Sequence, residues 1–182
     1  MRIFMTADFI KWRRKNKIIT DALLIQAVKE VATGLYDADY GGGIKTISST
    51  VSISNSDIIS NIAQNYSGGG LHIWNSEISL NRVLLYNNEC EDRGGAIYIG
   101  ENTLFNMEKS TISSNIANTS GSGINTYNSD FNISNSIIFI DDIFIEVGGN
   151  SHLISYSDIQ GGWEGEGNID ADPIFCDPDS GD

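Results

Sequence analysis

From about residue 43 onward, apolar and polar residues recur in blocks of fixed length. Four segments align without internal gaps: "SISNSDIISNIA" from Ser52, "SLNRVLLYNNEC" from Ser79, "NMEKSTISSNIA" from Asn106 and "NISNSIIFIDDI" from Asn132. Their starts lie 27, 27 and 26 residues apart. One apolar column is Ile53, Leu80, Met107 and Ile133, and another, five residues on, is Ile58, Leu85, Ile112 and Ile138. Val51, Ile78, Phe105 and Phe131 stand two residues before the first column, so each block carries the period-2 alternation of a strand with one face inward. A second marker keeps the same step: "GGGI" ending at Ile44, "GGGL" at Leu71, "GGAI" at Ile97 and "GSGI" at Ile124.

Three residues after the second apolar column come Asn61, Asn88, Asn115 and then Asp141. Asparagine at such a turn tolerates left-handed backbone and, stacked on its equivalents, can form an amide ladder. Strands repeating every 26 to 27 residues with the same side inward imply parallel coils stacked about 4.8 Å apart. The expected fold is therefore all-β, a right-handed parallel β-helix of four to five coils over residues 43–182. "SHLISYSDI", Ser151 to Ile159, forms the fifth and shorter coil. A propeller blade needs about 40 residues and four strands per unit, which this period excludes.

Residues 1–42 read differently. Thr20-Asp21 cap "ALLIQAVKEVAT", in which Leu24, Ala27, Val28 and Val31 make one apolar helical face, and Gly34 suits its C-terminal end. Phe9 and Trp12 lie one helical turn apart in an earlier, basic stretch. A short strand, "RIFM", and two short helices cannot enclose a core alone. The expected organisation is a short, incomplete α-helical segment over 1–42, then the β-helix with an acidic Gly/Pro-rich cap over 43–182.

Charge sharpens this division. Residues 1–45 hold 8 Lys+Arg against 5 Asp+Glu, net +3, whereas residues 46–182 hold 3 against 19, net −16. So acidic a region is a poor nucleic-acid binder. The basic "KWRRKNK" reads as a solvated helix face rather than a nucleic-acid patch. Cys90 and Cys176 stand in unrelated contexts and suggest neither a zinc site nor a disulfide framework. No run of 18 apolar residues spans a membrane, and "KWRRKNK" occupies the place of a signal-peptide core.

Two resemblances follow from these residues. Phe9, Trp12 and "ITDALLIQAVKEVATGLYDADYGGGIK" are similar to the N-terminal third of the RelE/HigB-like toxins of type II toxin–antitoxin systems. That resemblance implies ribosome-associated mRNA cleavage by basic residues from later strands. Here those strands are replaced by "TISSTVSISNSDIISN", with no basic residue between Lys45 and Arg82. The repeat resembles the right-handed β-helix proteins of the pectin-lyase-like superfamily, through its "GGGI" and "SNIA" texture. Its "GGAI" is reminiscent of chlamydial polymorphic outer-membrane proteins, and "YSDIQGGWEGEGNIDADPIFCDPDSGD" of the closing segment of bacterial surface β-helices. The resemblance implies an extracellular or cell-surface site, although the chain as written carries no signal peptide and so reads as cytoplasmic. Both ends read as interior, so a fragment or a fusion of unrelated genes is expected, with its seam in "GLYDADYGGGIKT".

The superfamily includes enzymes that cleave acidic polysaccharides. The resemblance then asks for N-x-D, D-D, G-H-G and R-x-K motifs on one face. The chain offers "NSD" at Asn55–Asp57 and Asn128–Asp130, and "DD" at Asp141-Asp142. His72 and His152 lack the glycine context, and Arg82, Arg93 and Lys109 are the coil cations. No catalytic, cofactor-binding or metal residue is singled out. Calcium at Asp170, Asp172, Asp177, Asp179 and Asp182 is the one cofactor candidate, set against a solvated cap. Trp163 is expected to seal the coil end. Trp74 and Tyr98 could stack a sugar, but nothing in the sequence groups them. The expected role is structural or adhesive, with a glycan or surface protein as partner, no nucleic acid and no membrane span. The alternatives are a carbohydrate-active β-helix enzyme and an inactive toxin remnant.

Overall fold

The computed structural model describes residues 42–139 and 142–175. The chain divides into two compact units, Met1–Thr33 and Gly34–Asp182, and the described residues all belong to the second. The helices and strand expected over residues 1–42, with Cys176, Asp141 and the last three tail aspartates, lie outside them.

The second unit is a parallel β-solenoid of about four turns. The first coil contains β1 (Ile44–Ile47), β2 (Thr50–Ile59) and β3 (Ile62–Ala63). The second contains β4 (Leu71–Trp74), β5 (Glu77–Tyr86) and β6 (Glu89–Cys90). The third is broken into β7 (Ile97–Ile99), β8 (Leu104–Glu108), β9 (Thr111–Ser113) and β10 (Ile116–Ala117). Then come β11 (Ile124–Ser134) and β12 (Ile137–Phe139), followed by β13 (Ile143–Ser155) and β14 (Asp158–Ile159).

Each sequence column becomes a physical stack. Ile44, Leu71, Ile97 and Ile124 are register partners in turn. So are Val51, Ile78, Phe105 and Phe131, and likewise Ile58, Leu85, Ile112, Ile138 and Ile159. Alternate residues of each strand point inward, so these stacks fuse into one buried apolar core. Every Ile or Leu so buried contributes about 1.5–3 kcal/mol, which makes the stacked apolar columns the main source of stability.

Three corners turn each of the first three coils, and all but one use one device. A residue in the left-handed region is followed by a polar residue whose side chain turns inward, with Val83 after Arg82 as the exception. The left-handed residues are Ser48, Asn75, Asn102 and Asn128 at the first corner, and Asn55, Arg82, Lys109, Asn135 and Tyr156 at the second. Ser60, Asn87 and Ser114 occupy the third. The recurring asparagines Asn61, Asn88 and Asn115, whose type tolerates this conformation, do not take it themselves. Instead the strained residue is the one before each. It frees the asparagine side chain to point along the stack. There the expected ladder forms: Asn61 Nδ2 donates to Asn88 Oδ1 (2.8 Å), and Asn88 Nδ2 to Asn115 Oδ1 (2.9 Å).

The glycine column packs beside this ladder. A Cβ at Gly70 would stand 2.7 Å from the Ala96 carbonyl oxygen and 3.2 Å from the Asn88 amide, so the close approach of two coils needs glycine there. Gly68, Gly94 and Gly121 precede it with φ of 79°, 70° and 64° and supply the adjoining turn.

The last coil is shorter. Twelve residues carry the chain from core residue Ile112 to Ile124, including β10, but only five carry it from Ile138 to Ile143. The small sheet β3–β6–β10 therefore ends at the third coil. Asp142 closes the short cut, its carbonyl accepting the Gly123 and Ile124 N–H groups (3.1 and 3.0 Å).

Candidate functional site

The coil geometry first separates the carboxylates that sequence motifs brought to notice. In both "NSD" motifs the Asn-Ser pair is a corner: Asn55 and Asn128 are left-handed, and Ser56 and Ser129 turn inward. Asp57 stands in the column Asp57, Leu84, Thr111, Ile137, Asp158. Asp130 stands in Thr50, Glu77, Leu104, Asp130, on the stretch before the second corner. The two carboxylates thus belong to different faces and to coils one and four. Asp130 Oδ1 accepts the Ser151 N–H at 2.9 Å, and Asp142 Oδ1 accepts that of Ser122 at 2.5 Å, so both hold backbone.

The coil cations have partners of the same local kind. Lys109 pairs with Glu108, whose carboxyl is held below its usual range first by that bond, and Asn81 Nδ2 donates to the same carboxylate. Arg93 pairs with Asp92 at 3.4 Å. His152 stacks on Phe131, 4.8 Å between centroids, and its Nε2 lies 3.0 Å from the Ser129 carbonyl oxygen. Among the described residues no three His, Cys, Asp or Glu side chains group as a metal site. Of the tail aspartates, Asp170 and Asp172 are described and both are exposed. Cys90 is buried in β6, and burial pushes its thiol up.

What the coils do bring together is aromatic. In β4, Leu71 and Ile73 enter the core while His72 and Trp74 face outward. His72 is the register partner of Tyr98 one coil away, and their rings lie 5.1 Å apart. Trp74 and Tyr98 stack with ring planes 18° apart and centroids 6.4 Å apart. Trp74 lies against Gly100, where an added Cβ would run into the six-membered ring. His72 is fixed in turn, with Nδ1 2.9 Å from the Ser67 carbonyl oxygen. Burial, and then Lys45, hold its pKa below the usual histidine value against that bond's opposing pull. The sequence had left these aromatic residues ungrouped because Trp74 sits at a different place in its repeat from Tyr98. The usable signal was the 26-residue step from His72 to Tyr98 together with a glycine at 100.

Trp163 closes the other end. It packs against the core, 6.0 Å from the Phe131 ring, and the segment around it is pinned by Asn168, which donates to the carbonyls of Ile154 and Trp163 (3.0 and 3.1 Å).

No curated protein and no solved structure matches the chain. One family model does, over residues 1–49: the RelE toxin of the RelE / RelB toxin-antitoxin system. The matched stretch runs through β1, so the strand that opens the solenoid, in register with β4, is also the end of a toxin-like sequence.

Proposed function

We propose that the solenoid is a non-enzymatic recognition module, a stiff structural or adhesive scaffold that presents one side-chain face to a glycan. The observation that carries this reading is the contrast between its two kinds of candidate residue. His72, Trp74 and Tyr98 converge on one face, while Asp57 and Asp130 lie on different faces of coils one and four. Hydrolysis of a glycosidic bond needs two carboxyl groups flanking one bond, about 5–10 Å apart. A parallel solenoid suits recognition because its face is rigid before the partner arrives, so little ordering cost falls on binding. By resemblance of the repeat, the site of action is the cell surface or the extracellular space, and residues 1–42 are a separate segment joined to it.

A panel of polyuronates, incubated with the full chain with and without calcium, tests this reading. The expected result is no released product in either condition. Release of unsaturated or reducing oligosaccharides establishes a carbohydrate-active enzyme instead. The match of residues 1–49 supports a second reading, an inactive toxin remnant, since it ends before the basic strands on which that family's cleavage depends. Growth arrest on induced expression would overturn the word inactive.

A further inference from the structure

We propose that Trp74, laid flat on Gly100 and backed by Tyr98, is the stacking platform for a neutral pyranose chain with equatorial hydroxyls, such as a β-linked glucan. The proposal rests on the recognition reading above and gives it a residue and a ligand class.

Gly100 is the first support. Its backbone is not in the left-handed region, so nothing in the turn itself demands glycine. What demands it is the neighbouring coil: any side chain here would meet Cε3, Cζ3 and Cδ2 of Trp74 and lift the ring off the sheet. With glycine, one face of the indole rests on backbone and the ring keeps part of its surface exposed. Tyr98, only 7% exposed, stacks beside it and is flanked by a histidine tied to Ser67. The indole is thus held in one orientation before any ligand arrives, which removes most of the side-chain entropy that stacking otherwise costs.

Charge selects the ligand. A pyranose with equatorial hydroxyls presents axial C–H bonds on its faces, and these carry the partial positive charge that the negative face of an indole attracts. A uronic-acid polymer offers similar C–H faces but brings a carboxylate per residue. Lys45 stands beside His72 on this face, but residues 45–182 together hold 4 Lys+Arg against 19 Asp+Glu, and that net charge repels such a chain. A neutral polymer avoids that repulsion and keeps the stacking.

Calorimetric titration of the full chain with a neutral β-glucan hexasaccharide and with an oligogalacturonate tests the assignment. The expected result is binding of the neutral sugar alone, weakened by at least about tenfold in both Trp74→Ala and Gly100→Ala. Trp74→Phe, with a smaller ring, should fall between. Circular dichroism and melting of each variant separate loss of the platform from loss of the fold. Unchanged affinity in folded Trp74→Ala, preference for the oligogalacturonate, or no binding of either sugar each overturns the platform. None of these outcomes makes the protein an enzyme, so the recognition reading stands or falls separately on the product-release assay.

Discussion

The third corner of each coil and the second corner solve the same problem with different chemistry. At the third corner an amide carries both donor and acceptor, so Asn88 receives from Asn61 and donates to Asn115 and to the Ile58 carbonyl oxygen at once. At the second corner a hydroxyl has one proton. Ser110 gives it to the Glu108 carbonyl oxygen of its own coil (2.9 Å) and accepts the Val83 N–H (3.0 Å) from the preceding one. Ser136 and Ser157 repeat the arrangement, and Asn168 of the cap ends it by accepting the Ser157 N–H at 3.1 Å. The amide ladder is therefore a continuous chain of polarising bonds, while the hydroxyl ladder is a set of separate rungs. Separate rungs tolerate a missing member, and Val83 stands where the pattern calls for a hydroxyl.

This difference ranks the expected effects of substitution. Asn88→Ala takes the Oδ1 acceptor from the half-buried Asn61 amide and, in a fully buried site, the donor from the Ile58 carbonyl and from Asn115 Oδ1. It should cost about 3 kcal/mol in chemical denaturation, the largest loss among these changes. Ser110→Ala removes one rung and should cost about 1–2 kcal/mol. If the two losses are equal, the amide ladder has no cooperative advantage and the contrast fails. Thr126→Val should move the other way. The Thr126 hydroxyl is buried inside the coil without a hydrogen-bond partner, so a nearly isosteric apolar side chain should gain up to about 1 kcal/mol.

A smaller effect is expected with pH, from the aromatic face. The His72 pKa is lowered in the fold, chiefly by burial, so the unfolded chain binds its proton more readily. The associated stability is fully present above the ordinary histidine value near about 6.5 and is lost as pH falls through that value toward the folded one. Stability measured from pH 7.5 down to 5 should decline, and His72→Phe should flatten that decline. An unchanged slope in the variant assigns it to other groups.

Much of the solenoid could be read from the sequence because its core repeats in identical chemistry. Ile58, Leu85, Ile112 and Ile138 declare their column directly, and "GGGI" declares the next strand. The asparagine ladder was legible for the same reason. The hydroxyl ladders were not, since serine is common throughout these coils and a corner pair such as Asn128-Ser129 has the same letters as the start of a catalytic "NSD". Only the left-handed φ at Asn128 and the inward hydroxyl distinguish the two. The shortened last coil was partly legible. Ser151–Ile159 announced its strand character, but its long strand begins at Ile143, because the return segment present in three earlier coils is missing. The aromatic face was hidden because its members share a place in space and not a place in the repeat.

One resonance reports on that face and on the coil register together. Trp74 and Gly100 are 26 residues apart and meet only if adjacent coils stack as described, with the indole flat on the glycine. The Gly100 Hα protons then lie in the shielding cone of the ring. Their NMR shifts should be far upfield of ordinary glycine and should return to the normal range in Trp74→Ala. Ordinary Gly100 Hα shifts in the folded wild-type chain would contradict both the stacking of these coils and the face built on it.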